Sequence, residues 1–487
     1  MVLSPITNLT TEIFILSVQA CRFNGGIKMK NDVYFIVKVI LFISAITSPT
    51  LHAKVGVEEL GKLGKELTPI GAEKAGNAEG TIPEWSGGYT EKPSCYKDDG
   101  SYFICDPFSE DKSEFVINNE NKEKYKEKLS AGQMAMFEKY PNSFRMPVYK
   151  TRRTAAYSQD VYDRTLRNAA KSELAEQGNG IVKAEAFGFP FPIPKSALEV
   201  IWNHIVRYRG DSVERITGVA APQADGKFSM VISHEQFAFR ESLKGMSPGE
   251  DENVLFYYKQ KVVAPSRLAG NVLLVHETLD QVKEPRLAWV YNGGQRRVRR
   301  APQVGYDGPG TSSDGLSTYD NLDMYNGSPD RYQWELVGKR EMYIPYNSYK
   351  LDEKGIKYEE ILKPGHINSD LTRYELHRVW VIEAKLKPGT RHVYGRRTFY
   401  IDEDSWQVSV VDHYDNRGGL WRVSQAYNMM YYNGMSPFYA VEAVYDLNSG
   451  RYVVVGLENE EKKGFQFNRE FDKKSFTANA LRSEGIR

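Results

Sequence analysis

Beyond residue 212 the chain alternates apolar and polar side chains in short runs separated by turn residues, which is the pattern of an antiparallel sheet with one buried face. Early strands are predicted over 253–262, 270–277 and 287–292. The clearest runs from Tyr374 to Leu386: Tyr374, Leu376, Trp380, Ile382 and Leu386 share one side, while Glu375, His377, Glu383 and Lys385 take the other. Further strands are predicted over 396–401, 406–414, 419–429, 438–446 and 451–457. Their connections carry Asp402-Glu403-Asp404, Asn416-Arg417-Gly418, Asn433-Gly434 and Asn448-Ser449-Gly450, which is hairpin chemistry. No period of fixed length recurs, so a propeller or solenoid is disfavoured. The expected class is α+β: a strongly curved antiparallel sheet, or partial barrel, with a few helices.

The helices are expected earlier in the chain. Residues 118–140 are rich in helix formers, and 160–177 place Val161, Leu166, Ala169, Ala170 and Leu174 near helical spacing before Gly178-Asn179-Gly180 stops the run. The prolines of FGFPFPIP, Phe187–Pro194, then impose an extended path, and a helix restarts over 197–206. From Lys54 to about Pro107 there is no sustained period, only Gly, Pro and charge, so this segment reads as an extended arm over the main domain. Within it Cys95 and Cys105 bracket an Asp98-Asp99-Gly100 turn, which suits a disulfide-stapled hairpin contributing about 2–3 kcal/mol.

Such a bond needs an oxidising compartment, and the N-terminal residues point to one. The apolar run Val33–Ile46 is broken by Lys38 and is too short for a membrane span of roughly 20 residues. It fits a signal peptide with Met29-Lys30 as start and basic region, Val39–Ile46 as apolar region, and cleavage near Ala53; an uncleaved membrane anchor is the alternative. The chain then divides into 1–28, an upstream start-site extension containing Cys21; 29–53, the signal peptide; 54–140, the arm with its disulfide hairpin and helix; and 141–487, the β-rich domain. The expected location is the periplasm. With 64 basic and 63 acidic side chains and a net charge of +1, no global field recruits nucleic acid.

Catalytic motifs are missing. There is no G-x-S-x-G elbow, H-E-x-x-H, G-x-x-x-x-G-K-[ST] or G-x-G-x-x-G after a strand. The SCYK tetrad, Ser94–Lys97, lies inside the proposed staple without the partners its chemistry needs. The histidines are scattered, and only His377 and His392 could approach each other if their strands pair, so neither a metal site nor a cofactor is expected. Asp402-Glu403-Asp404 reads better as a turn than as an acid/base pair, although a carboxylate pair for cleaving envelope glycans or lipids leaves hydrolysis as an alternative function. The densest positive patch is Arg296, Arg297, Arg299 and Arg300, after the turn Asn292-Gly293-Gly294. It suits an anionic head group or an acidic partner loop; otherwise it is a strand salt-bridged to Asp314, Asp320, Asp323 or Asp330. The aromatics Trp289, Tyr291, Trp380, Phe399, Trp406 and Trp421 are candidates to line an apolar cavity, or else ordinary core.

Several long strings, among them SFRMPVYKTRRTAA (143–156), PFPIPKSALEVIWNH (190–204), QRRVRRAP (295–302), SSDGLSTYDNLDMYNG (312–327), DRYQWELVGKREMYIPYN (330–347), RYELHRVWVIEAKLKPG (373–389) and RHVYGRRTFYIDEDSW (391–406), resemble in wording and order the exported bacterial domain of unknown function 1329 family, related to the outer-membrane lipoprotein-sorting (LolA/LolB-like) proteins. The resemblance implies a half-barrel around an apolar cavity with helices plugging the open side. It further implies acyl-chain carriage and partners among outer-membrane barrel proteins and inner-membrane exporters. Physics supports a carrier independently: each exposed methylene costs about 0.8 kcal/mol in water, so a 16-carbon tail costs on the order of 12 kcal/mol unshielded. The expected function is therefore a periplasmic carrier or chaperone of a lipid or other hydrophobic molecule. The alternatives are an envelope hydrolase or a non-catalytic adaptor docking through the arginine patch.

Overall fold

The computed structural model describes residues 55–301 and 306–485; the proposed leader and its cleavage point lie outside them. The alternating runs form a 16-stranded sheet. A first meander comprises β1 (Ser212–Ala220), β2 (Met230–Phe239), β3 (Val254–Ala264), β4 (Val272–Thr278), β5 (Leu287–Asn292) and β6 (Arg297–Arg300). A second comprises β7 (Tyr332–Pro345), β8 (Tyr374–Leu386), β9 (Arg396–Asp402), β10 (Val408–Tyr414), β11 (Leu420–Tyr431), β12 (Ser436–Asp446) and β13 (Tyr452–Leu457). Within each meander every strand pairs antiparallel with the next, and β13 joins the two by pairing with β1, Val454 opposite Ala220 and Val455 opposite Val219. The outermost strands β7 and β6 do not pair with each other, so the sheet is open.

Helices α1 (Ala131–Lys139), α2 (Gln159–Lys171), α3 (Ala197–Val206) and α4 (Ala478–Gly485) accompany the sheet. The helix expected over 118–140 is split. A 3-10 stretch covers Lys122–Lys128, and Ser130 then caps α1 by accepting from the Gln133 N–H. That cap is fixed to the sheet, because Asp412 of β10 accepts from Ser130 Oγ at 2.9 Å and from the Gly132 N–H at 3.0 Å. A Cβ at position 132 would fall 2.3 Å from the Asp412 carboxylate, so glycine is required there. The second helix ends at Lys171, short of 177, and its Leu166 is exposed. The 197–206 helix starts from a Ser196/Glu199 capping box and buries seven of its side chains.

The main departure from the expected pattern is that much of the second meander, β7 excepted, is buried on both faces. Every residue of β10 and β12 is buried, as are Glu375 and His377, two of the four residues expected on a polar face of β8; Glu383 and Lys385, the other two, do reach solvent. The arm supplies the cover: Trp406 Nε1 donates to the Ile70 carbonyl, and Arg153 donates to the carbonyls of Glu73, Lys74 and Pro83. Burial of these charges is tolerable because they are paired. Arg153 makes a two-pronged pair with Asp404, and Arg373 pairs with Glu375 at 2.7 Å. The disulfide Cys95–Cys105 forms, with Cα atoms 6.1 Å apart, but the loop it closes is irregular and not a paired hairpin.

Near the junction of the meanders, Glu214 of β1 meets His234 Nε2 at 2.9 Å, accepts from Gln236 at 3.0 Å, and pairs with Arg469 at 3.1 Å. The His234 hydrogen bond is the largest of the effects that hold its carboxyl down at about 2, against 4.5 for a free glutamate. A depressed folded-state pKa gives stability that is present above the unfolded value and lost as pH falls towards the folded one. Glu214→Gln should therefore cost about 1 kcal/mol in urea unfolding at pH 7, with the gap to wild type closing as pH is lowered from 4.5 towards 2.

Candidate functional site

Strand register decides what each face of the first meander carries. Glu235 lies opposite Gln260, Gln260 opposite Leu273, and Leu273 opposite Val290; one step along, Tyr258, Val275 and Ala288 repeat the line. Directly opposed residues point to the same face. The same face continues through Val219 of β1, Val455 and Val453 of β13, and Val444 and Glu442 of β12. Together with the 306–322 loop they enclose a cleft of about 1220 Å³, above the range of about 300–1,000 Å³ common for ligand pockets. Its wall mixes an aliphatic floor (Val219, Leu273, Val275, Ala288, Val290, Val455) with aromatic, polar and charged side chains, among them Phe256, Tyr306, Glu277, Arg286 and Arg331, and Val290 and Leu322 are substantially exposed within it.

The inner end is polar. Glu235 pairs with Arg215 Nε at 2.8 Å and accepts from the Tyr258 hydroxyl at 2.7 Å and from Gln260 at 2.9 Å. Arg215 donates to Tyr439 at 3.2 Å through Nη2, while its buried Nη1 has no partner. Burial opposes the guanidinium charge, but Tyr439 and Glu235 outweigh it and hold Arg215 well above its ordinary value. Glu442 is pushed well up by burial, and then by the nearby Asp323 charge; its Oε1 is also unpartnered, as is Nδ2 of Asn321. The cleft therefore presents unmet polar groups beside an aliphatic strip formed by Val455, Leu273, Val275 and Ala288, with further charged side chains, Glu277, Arg286 and Arg331, elsewhere on its wall. A recess of about 60 Å³ continues beyond Arg215 between Phe237, Phe438 and Phe465.

The loop wall is held by one buried carboxylate. Asp323 accepts from Arg207 Nη2 at 2.5 Å and from Arg209 Nη1, just past the C-terminus of α3. His204 of α3 completes the clamp: its Nδ1 accepts from the Val408 N–H at 3.1 Å, so Nε2, 2.8 Å from the Asp323 carbonyl, carries the proton and donates. Burial, and then Arg207, lower the His204 pKa to about 3, so the ring is neutral. Asp323 and Met324 adopt left-handed backbone, φ 52° and 64°, which non-glycine residues adopt only when held. Leu322 is thereby turned into the cleft.

None of the six aromatics expected to line a cavity borders this cleft. Trp289 and Tyr291 are on the opposite face of β5, one residue out of phase with Ala288 and Val290. There Trp289 packs against His276 at 4.8 Å, and Tyr291 is buried in a cluster with Phe476 and Leu481 of the C-terminal segment. Trp380 stacks on Trp406, Phe399 stacks on Trp334, and Trp421 meets Tyr394 edge-on. Of these rings Tyr291, Phe399 and Trp406 are buried core, and Trp289, Trp380 and Trp421 are half-buried and packed against other rings. Of the arginines, Arg300 borders the cleft, and Arg297, Arg299 and Arg300 are exposed on edge strand β6; Arg296 is the left-handed turn residue before it. The expected salt bridges to that strand do not form: Asp314 pairs with Arg451, Asp320 with Arg397 and His392, and Asp323 with Arg207 and Arg209. His377 and His392 do not come together, since His377 lies among Glu375, Asp402 and Asp404.

The family model for a protein of unknown function, DUF1329, matches residues 116–482, and the chain belongs to that family. It is 55% identical over 448 residues to an uncharacterized protein of Pseudomonas aeruginosa, covering 92% of this chain and 98% of that one. Among solved structures, it is similar to a DUF1329 family protein from Desulfovibrio piger, with 14% identity, 56% of this chain and 92% of that chain covered, and a TM-score of 0.40. A LolA superfamily protein from Nitrosomonas europaea matches with 12% identity, 59% and 100% coverage, and a TM-score of 0.36.

Removing the Asp323 charge leaves two buried arginines without their counter-ion. Asp323→Asn should lower unfolding stability by about 3–5 kcal/mol and make the 306–324 loop a site of limited proteolysis, whereas Asp314→Asn, at the exposed Arg451 pair, should change stability by less than about 1 kcal/mol.

Proposed function

We propose that this DUF1329 chain is a periplasmic carrier that shields one hydrophobic, polar-headed molecule in the cleft between β1–β5, β12–β13 and the 306–322 loop. The observation that carries the reading is a cleft of about 1220 Å³ with an aliphatic strip along its sheet wall, bordered by residues whose Arg215 Nη1, Asn321 Nδ2 and Glu442 Oε1 have no partners. Apolar surface left facing a cleft of this size gains from a ligand tail at about 25 cal/mol per Å² covered. The unmet polar atoms gain from a head group. The ligand therefore binds head inward, with its tail along Val455, Leu273, Val275 and Ala288. In this reading the open sheet serves as a half-barrel, and the Arg297–Arg300 edge meets an anionic membrane surface, or an acidic loop of an outer-membrane barrel protein or inner-membrane exporter. Export with loss of residues up to Ala53 accords with the Cys95–Cys105 bond, which persists in oxidising compartments.

Organic extracts of the purified chain, analysed by mass spectrometry, should contain close to one equivalent of a lipid or lipid-like species. Val275→Trp combined with Ala288→Trp fills the tail channel and should reduce that recovery at least tenfold with little change in Tm. Absence of any such species from the wild-type protein, or its undiminished recovery from the filled variant, would contradict the proposal.

A further inference from the structure

Across the sheet from the cleft region, β8 and the β9–β10 turn bring three ligand-type side chains together in a place the carrier reading does not use. His377 of β8 points Nδ1 at Asp402 Oδ1, 3.7 Å away, and at Asp404 Oδ2, 3.8 Å away. One ligand atom from each of the three residues lies within 4.8 Å of the others, and all three residues are at most 4% exposed. These separations are those of ion pairs longer than a hydrogen bond; against the opposing effect of burial, Asp404, Glu375 and Asp402 push the imidazole up to about 9, and a metal would replace that proton. The two separations lie close to the edge of a tetrahedral metal site, which is about 3.3–3.5 Å when metal–N and metal–O distances are about 2.0–2.1 Å. Reaching that edge from separations of up to 4.8 Å requires the turn to move inward onto the ion.

A second observation points into the same gap. Asp402 is fully buried; its Oδ2 accepts from Ser405 Oγ at 2.5 Å, but its Oδ1 accepts no hydrogen bond. A buried carboxylate oxygen without a donor is costly, and a cation in the gap removes the cost.

The surroundings have the features of a supporting shell. Glu375 lies 3.4 Å from the other imidazole nitrogen of His377, the arrangement that orients a histidine ligand, and Glu375 is itself fixed by Arg373 at 2.7 Å. The Tyr346 ring stacks on the imidazole with centroids 3.9 Å apart. Arg153 grips both oxygens of Asp404 from outside the cluster, and the turn is braced by the Trp406 N–H donating to the Asp402 carbonyl at 2.9 Å.

We propose that His377, Asp402 and Asp404 form a buried site for one divalent transition-metal ion, with zinc the best match to a mixed imidazole and carboxylate donor set. The ion ties β8 to the β9–β10 turn beneath the arm residues that Arg153 anchors, a structural role distinct from ligand carriage.

The test uses the purified chain, stripped with a chelator and then titrated with Zn²⁺ and, separately, Co²⁺. Binding of one Zn²⁺ per chain with a Tm rise on the order of 3–5 °C, together with the visible absorption of a cobalt ion in a protein site, is expected. Asp402→Asn keeps the shape of the turn and should weaken Zn²⁺ binding at least tenfold. The wild-type cobalt spectrum is a readout that stands even if that variant fails to fold. Failure of the wild-type chain to take up either ion at micromolar concentration, or unchanged stoichiometry and affinity in a folded Asp402→Asn protein, would overturn the site.

Discussion

The strict two-residue alternation of β3–β5 is the constraint on which the rest of the structure depends. With Val275, Ala288 and Val290 on one face, Tyr257, His276, Trp289 and Tyr291 must occupy the other. The aromatic face is sealed by Phe476 and Leu481. The aliphatic face is left with side chains too small to close the space under the 306–322 loop. Asp323, held by two arginines, fixes the end of that loop, so the cleft is bounded by packing on one side and by an electrostatic clamp on the other.

The second meander solves a different problem. Its strands carry Glu375, His377, Asp402, Asp412 and Arg397 at positions that an isolated sheet would leave in water, yet all are buried. The arm, α1 and the 319–324 loop bring the partners. Arg153 reaches Asp404, Ser130 and Gly132 donate to Asp412, and Asp320 meets both Arg397 and His392. Paired in this way, buried charge sets which segments lie against the sheet rather than adding greatly to stability.

Much of the sheet was legible because hairpin turns and alternation are local signals. The 287–292 strand, the 374–386 strand and the 197–206 helix all form within the bounds expected from sequence. Strand β7 was missed because Glu335, Lys339, Arg340 and Glu341 blur its alternation at an open edge. The candidate site was far less legible. Alternation says that two faces differ but not which one the C-terminal helix will cover, and choosing the bulkier residues as cavity lining put Trp289 and Tyr291 one residue out of phase. Arg215 and Glu235 carry no signal in the sequence, and only register sets them opposite each other and beside Tyr258. The pairing of His377 with two aspartates from a turn is likewise a matter of register, invisible in spacing.

The central claim is that the aliphatic cleft is a vacant, ligand-sized space open to a tail. Titration of the chain with a fatty acid that fluoresces only in an apolar environment tests this most directly. The account predicts a saturable rise with one site per chain that is competed away by an unlabelled long-chain fatty acid. A linear, non-competable signal would mean that the cleft takes no ligand, and would contradict the account.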